Sequence, residues 1–404
     1  MLDHLRLAIP VFPVYTKQLG NHYYFNGDLL ELGLPCATRY VAKDDNGQIV
    51  TGDIYTPYEK LPSSYTDMAF KFYHDSMNTM PYVEIKASPL KLLQGHNVYG
   101  FDDIALGAVE MLGLLVTAYP SLCKYLDFAN TEVLHLDTTY FCKLPHQNMV
   151  QPVLDYLANV QAGHRKAKEV KFANYVTWSA DSRYINAKAY GKFLEVQAQM
   201  QKIQKQADKG CVRSKSLICA MHDVLAFSNA VVRFEARICK TYLTKNGYPS
   251  NLWDLINHQR QSPDMLTKLW NVAFEPIFKT LKGADMTFKN DFEVENLLIE
   301  KLRTVTPTGK VSNTKAYNAM SFYRSLRDIG WKETKQRMSV ANFNKQVKAL
   351  VDAGISRASL QNLHTDKRGK VIPFVQLVEI NFDQQLPPNY VTPTSKYSHL
   401  SFVA

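Results

Sequence analysis

The chain has 404 residues, enough to bury at least one large core, and by length two or three domains. Hydrophobic residues make up 46% and aromatics 12%, which excludes a disordered chain. A formal charge of +10 points to polyanionic partners, nucleic acid or an anionic membrane surface. Membrane insertion is not expected, because the longest apolar stretch (104–119) is interrupted by Glu110 and too short to span a bilayer. Asp3, His4 and Arg6 lie in a strand-like opening run that lacks the charge order of a signal peptide. None of the six cysteines forms a C-x-x-C pair, so a zinc ribbon or disulfide framework is not indicated and a reducing cytoplasm fits.

Residues 1–80 read as strands and turns that scaffold a sheet. Leu5, Leu7, Ile9 and Val11 alternate with polar or proline positions, and Asn46-Gly47 between Val41 and Ile49-Val50 predicts a hairpin. From Tyr82 to Ala87 the run YVEIKA predicts a half-buried strand carrying Glu84 and Lys86 on its open face. Ser88-Pro89 ends it. The following KLLQGHNVYG, with Lys91, Gln94, His96 and Asn97 alongside Gly95 and Gly100, reads either as a solvated loop or as one whose backbone approaches a phosphate. Asp102 and Asp103 sit at an N-cap position, and Ile104, Ala108, Met111, Leu112 and Leu115 recur with helical spacing. That helix is expected to cover the sheet, with Glu110 facing away.

Residues 133–141 predict a strand with Leu134, Leu136 and Thr138 on one face and His135, Asp137 and Thr139 on the other. A spacing of two puts His135 and Asp137 side by side, as metal ligands require. Residues 161–175 are basic, either a linker or a phosphate-tracking loop. In YINAKAYGKF (184–193), Tyr184, Asn186, Lys188, Tyr190 and Lys192 share one face. A phenol between two ammonium groups is expected to have a lowered pKa and a phosphate held beside it. Helical patterns follow to Asp208, where Gly210 interrupts, and again over 214–230. VVRFEARI (231–238) then sends Val232, Phe234, Ala236 and Ile238 to the core and Arg233, Glu235 and Arg237 to the open face. Those charges form either a structural ion-pair row or a metal ligand between two phosphate clamps.

If these four strands share a sheet, its polar face gathers carboxylates, cations and a tyrosine, a set suited to metal-assisted phosphoryl transfer. The expected architecture is α+β: a mixed or antiparallel sheet with one helix-covered face and one polar face. Residues 1–245 would be a catalytic domain, 246–285 a helical connector, and 286–404 a mainly helical, winged-helix-like DNA-binding module. The last holds 17 Lys/Arg against 10 Asp/Glu. Helices are expected near 293–303, 312–329 and 339–352, and strand-like segments near 371–382.

Three further stretches, together with VEIKASPLKLLQGHNVYG, carry a resemblance: AYGKFLE (189–195), VRFEARI (232–238) and TPTGK (306–310). The chain resembles, in order and over nearly its whole length, the replication initiators encoded by gene II of filamentous bacteriophages. The resemblance implies binding to the double-stranded phage origin and nicking of the viral strand. Tyr190 would be the nucleophile, leaving a 5′-phosphotyrosine and a 3′-OH. A second cleavage and joining then circularises the displaced strand. Lys192 would stabilise the phosphate or tyrosinate. Asp137 and Glu235, then Glu84 and His135, would hold Mg²⁺ or Mn²⁺. Lys86, Lys91, His96, Asn97, Lys188, Arg233 and Arg237 would contact DNA. Rolling-circle nucleases with a His-hydrophobe-His strand offer a partial parallel, but Asp137 replaces the second histidine here. With no P-loop pattern, unwinding would fall to a host helicase and extension to the host polymerase, in the bacterial cytoplasm, with self-association on the origin possible. In this family a separate C-terminal product begins at an internal methionine, matched here by Met286. The alternatives are an origin- or single-strand-binding protein without chemistry, and a metal-dependent hydrolytic endonuclease.

Overall fold

The computed structural model describes residues 1–404 except 30, 33, 35–38, 44–48, 54–57, 163–166, 169–173, 282–290, 306–308, 365–378 and 403–404. The Asn46-Gly47 turn, Met286, most of TPTGK and most of the strand-like run at 371–382 lie outside the described residues. The strands flanking that turn, Arg39–Lys43 and Ile49–Asp53, pair antiparallel as the hairpin signal predicts.

The fold is α+β, organised on one nine-stranded antiparallel sheet. In chain order its strands are β1 (Leu2–Pro10), β2 (Glu59–Pro62), β3 (Asp67–Tyr73), β4 (Tyr82–Ala87) and β5 (Glu132–Lys143). Then come β6 (Ala167–Lys168), β7 (Tyr175–Trp178), β8 (Ile185–Gly191) and β9 (Val231–Cys239). Their spatial order is β6-β7-β8-β9-β5-β1-β4-β3-β2. The four strands that carry the alternating charges, β4, β5, β8 and β9, therefore do share a sheet. The segment from Met1 to Pro10 supplies the strand between β4 and β5.

One face is apolar because each strand alternates. Leu5, Leu7, Ile9, Val83, Ile85, Leu136, Phe234, Ala236 and Ile238 are fully buried in one cluster. Helix α1 (Pro89–Gln94) follows β4, and α2 (Ile104–Ala118) starts at an Asp103 cap whose carboxylate accepts from the Leu106 N–H. α2 packs on β1 and β4, α3 (Val150–Ala158) on β7 and β8. After β8 come α4 (Lys192–Asp208) and α5 (Val212–Ser228), followed beyond β9 by α6 (Leu252–Gln261) and α7 (Met265–Leu281). Trp270, Phe274 and Ile277 of α7 lie in the sheet core, and the indole of Trp270 donates to the Phe234 carbonyl. The expected 246–285 connector is thus packed into the core.

α4 and α5 pack against each other through Val196, Ile203, Leu217, Met221 and Val224, joined by Val98. This hairpin and the 95–100 loop roof one end of the sheet's polar face. Gly95, at φ +82° with Leu217 against its missing Cβ, admits the close approach.

The C-terminal helices are α8 (Asp291–Leu302), α9 (Thr314–Ile329), α10 (Trp331–Gln336), α11 (Val340–Asp352) and α12 (Arg357–Asn362). They form a separate apolar cluster around Leu326, Phe343 and Leu350. α12 meets the main body through Asn362 and Gln361, which bond Asn159 and Gln161. The final segment returns to the sheet domain. Gln385 pairs both backbone groups of Phe141, where β5 has run past the start of β1. Ser395 donates to Glu110, 2.6 Å away. Glu110, expected to face solvent, is instead buried beneath this tail.

Candidate active site

The polar face is built by two irregularities in β1 pairing. Leu2 pairs with Thr138 and His4 with Asp137, so Asp3 is an extra residue and β1 bulges there. Leu2 and Leu5 consequently both reach the core although three residues apart, and Asp3 and His4 both turn to the polar face. Further along, Arg6 pairs with His135 and Leu7 with Val133, leaving Leu134 as the extra residue on β5. Val133 takes the core position expected of Leu134, which is only half-buried.

The first bulge sets His4 beside His135 and Asp137, with one ligand atom from each all within 4.8 Å of one another. The His135 Nε2 and His4 Nδ1 are 3.3 Å apart. Two nitrogens each about 2.1 Å from a shared ion lie about 3.0–3.4 Å apart, so the spacing suits joint coordination. Burial lowers both imidazoles, His4 to about 4 and His135 to about 2, the latter also disfavoured by the Arg237 charge. Both are thus neutral at pH 7, the form that binds metal. Burial raises the Asp137 pKa, and Arg237 opposes the rise by donating Nε and Nη2 to its two oxygens at 2.8 and 2.7 Å.

The other two expected metal ligands lie elsewhere. Glu84 sits two strands and four residues from Asp137, roughly 16 Å by strand spacings. It is fully buried, and Arg6 grips it at 2.6 and 2.7 Å while the Tyr58 hydroxyl donates to it. Its role is to neutralise Arg6. Glu235, beside β5 but opposite Thr139, accepts a hydrogen bond from the Tyr190 hydroxyl at 3.1 Å. Burial and then the Asp3 and Asp137 charges raise the Glu235 pKa.

Tyr190 is buried, and its pKa lies well above the ordinary phenol range. Burial is the main cause, with Arg233 opposing it. The lowering expected from the two lysines is therefore reversed. Lys188 does lie over its ring, Nζ 4.6 Å from the centroid. Lys192 begins α4 rather than ending β8; it is buried, and it donates to Asn97 (3.1 Å) and Glu195 (2.8 Å). Burial and then the Arg233 charge lower its pKa to about 7.

Three of the expected DNA contacts are sealed under the roof. Arg233 is 1% exposed, with Nη2 3.0 Å from Asp3 and Nη1 on the Asn97 carbonyl. Asn97 donates to Asp3 at 2.7 Å, and His96 is buried with its pKa lowered to about 4 by desolvation. These residues hold the 95–100 loop on the sheet, so that loop does not offer its backbone to a phosphate. Lys86, Lys91, Lys188 and Arg237 remain accessible, with Lys86 Nζ 3.2 Å from the Tyr58 ring centroid and Lys91 Nζ 3.8 Å from Glu195.

Sequence reasoning missed Asp3 and His4. Their signal was the broken parity of LDHLRLAIP, in which Leu2 stands out of phase with Leu5, Leu7 and Ile9. On this face Thr139 Oγ1, Asn186 Oδ1 and Arg233 Nε are buried without a hydrogen-bond partner among the described residues. Orphaned donors and acceptors share this face with the Tyr190–Glu235 hydrogen bond and with His4, His135 and Asp137, a donor set that could hold a divalent ion.

Residues 1–262 match the family model for the N-terminal part of the gene II replication-associated protein, and residues 305–396 match its C-terminal counterpart. The chain is 33% identical to the replication-associated protein of Salmonella phage IKe, covering all of this chain and 99% of that one. With the protein of the same name from Enterobacteria phage fd it shares 34% identity, over 98% of this chain and 100% of the relative.

Proposed function

This chain belongs to the family of gene II replication-associated proteins, and from that premise we propose that it initiates rolling-circle replication of a phage genome by nicking and joining DNA. It would bind the double-stranded origin in the host cytoplasm and receive the viral strand across the polar face. The observation that carries the reading is the Tyr190–Glu235 hydrogen bond on the face that also holds His4, His135 and Asp137.

In the first step the Tyr190 oxygen forms a bond to the scissile phosphorus as the bond from phosphorus to the 3′ oxygen breaks, and the departing oxygen takes a proton from water to become the free 3′-OH. Glu235 takes the phenolic proton, and its raised pKa makes it a better acceptor than an ordinary carboxylate. The high pKa of Tyr190 keeps the phenol protonated until a substrate arrives. Arg233, directly across the strand pair from Tyr190, is sealed beneath the roof and acts from there as a fixed positive charge that favours the developing phenolate. Lys192, with a pKa near neutrality, adds a second buried cation beside the ring. Arg237 is 39% exposed and can turn from Asp137 to a phosphate oxygen. The phosphotyrosine retains the phosphoester bond, so joining to a 3′-OH needs no ATP. A divalent ion held by His4, His135 and Asp137 would neutralise charge on the phosphate oxygens. Two imidazoles and one carboxylate suit Mn²⁺ better than the oxygen-only shell favoured by Mg²⁺. Host helicase and polymerase would supply unwinding and extension. Among the described residues no helix is long and apolar enough to cross a membrane.

One observation favours a hydrolytic reading instead: Tyr190 and Asp137 are two strands and four residues apart at the backbone. Incubating wild type and Tyr190→Phe with supercoiled origin plasmid and Mn²⁺, then denaturing, separates the two. An adduct with wild type alone supports strand transfer. Nicking by both proteins without an adduct supports hydrolysis.

A further inference from the structure

A cavity of about 500 Å³ opens on the polar face one step beyond the metal-ligand cluster. Its floor is Ala8 and Pro10 of β1, and its sides include Tyr82, Met80, Leu134 and Glu132. The Leu134 bulge makes this wall, because it moves that side chain from the core to the pocket. Ala8 lies two residues beyond Arg6, which pairs with His135, so the cavity begins about 7 Å from the cluster. Tyr82 does not stand alone: its ring stacks on Tyr73 at 4.5 Å with 13° between planes. The pair is a rigid aromatic wall, flanked by Lys71 4.7 Å from the Tyr73 centroid. At the opposite rim the carboxylate of Glu132 pairs with Lys240 at 2.6 Å. Flat aromatic and aliphatic walls, one carboxylate acceptor and nearby cations match an unpaired base with its backbone phosphate. The volume falls within the range of small-ligand sites.

We propose that this cavity receives an unpaired nucleobase of the strand crossing the polar face, stacked against Tyr82 with Glu132 accepting from an exocyclic amino group. The inference rests on the reading of that face as the DNA path. It would give the protein a base-specific grip on the nicked strand, separate from the Tyr190 chemistry, and would favour bases with an amino edge.

The test uses the full-length protein carrying Tyr190→Phe, so that binding is read without cleavage. Its affinity is measured for a single-stranded oligonucleotide spanning the nick, and for versions with one abasic position each. One abasic position weakens binding about ten-fold, and Tyr82→Leu weakens the intact strand by a similar factor and removes that position's effect. Tyr82→Phe, which keeps the stacking ring, binds like its parent. The proposal is overturned if Tyr82→Leu binds the intact strand as tightly as its parent. It is equally overturned if no single position matters, or if free deoxynucleoside monophosphates displace the strand at equal concentration. If the Tyr190→Phe protein shows no position effect while the Tyr190-bearing protein forms its adduct, only the pocket is overturned, whereas a position effect with no adduct from the Tyr190-bearing protein overturns only strand transfer.

Discussion

Replacing Glu84 by alanine distinguishes a buried counter-ion from a metal ligand. The carboxylate is fully buried and satisfies two Arg6 nitrogens and the Tyr58 hydroxyl. Breaking a buried pair by removing one partner costs about 3–5 kcal/mol, because the other charge is left uncompensated. Arg6 is 33% exposed and can regain some water, which puts the cost near the lower figure, about 3 kcal/mol. That is a large part of the roughly 5–15 kcal/mol that holds a folded domain together. With a urea slope of about 3 kcal/mol/M, the sheet domain should unfold about 1 M earlier. Mn²⁺ affinity measured by calorimetry should be unchanged in Glu84→Ala, whereas His4→Ala should lose ten-fold or more. Glu84→Ala that keeps its unfolding midpoint but loses Mn²⁺ binding would refute the assignment.

Three other outcomes follow from the packing. Lys192 is held near pKa 7 when folded and returns toward 10.5 when unfolded, so between about pH 7 and 10 the unfolded chain binds the extra proton. Stability should therefore rise with pH across that window, and Lys192→Met should flatten the rise in urea titrations at about pH 7.5, 8.5 and 9.5. Arg233→Ala should behave as a folding variant that loses about 3–5 kcal/mol, and Asp3→Asn combined with Arg233→Met should recover part of it in the same titrations. A Cβ at Gly113 would collide with the Tyr397 ring, so Gly113→Ala should release the C-terminal tail. Limited proteolysis should then cut within 385–402 several times faster while the sheet domain stays intact.

Much of the site could be read from alternation. A charged residue at every second position of β4, β5, β8 and β9 places its side chain on the face opposite the core, and the structure keeps that parity for Glu84, His135, Asp137, Tyr190, Arg233, Glu235 and Arg237. What alternation cannot give is which of these share a strand neighbourhood. Alternation puts Glu84 and Asp137 on the same face, but β1 comes between them and the register separates them by four residues. Nor does a period of two survive an extra residue: each bulge hid one piece of the face, His4 at the first and the pocket wall of Leu134 at the second. The sign of the Tyr190 shift was misread for a different reason. Two flanking lysines lower a phenol pKa only in the absence of a larger desolvation, and here the roof of α4, α5 and the 95–100 loop supplies one. The same long-range packing explains Glu110, whose partner Ser395 lies 285 residues away.

In the proposed reaction Tyr190 itself carries the DNA. The most direct measurement is to trap the wild-type protein on a labelled origin strand, digest protein and DNA, and locate the nucleotide-bearing peptide by mass spectrometry. The expected product is a 5′-phosphonucleotide on Tyr190. A nucleotide on Tyr175, directly opposite it on β7, or cleavage with every tyrosine unmodified, would contradict it.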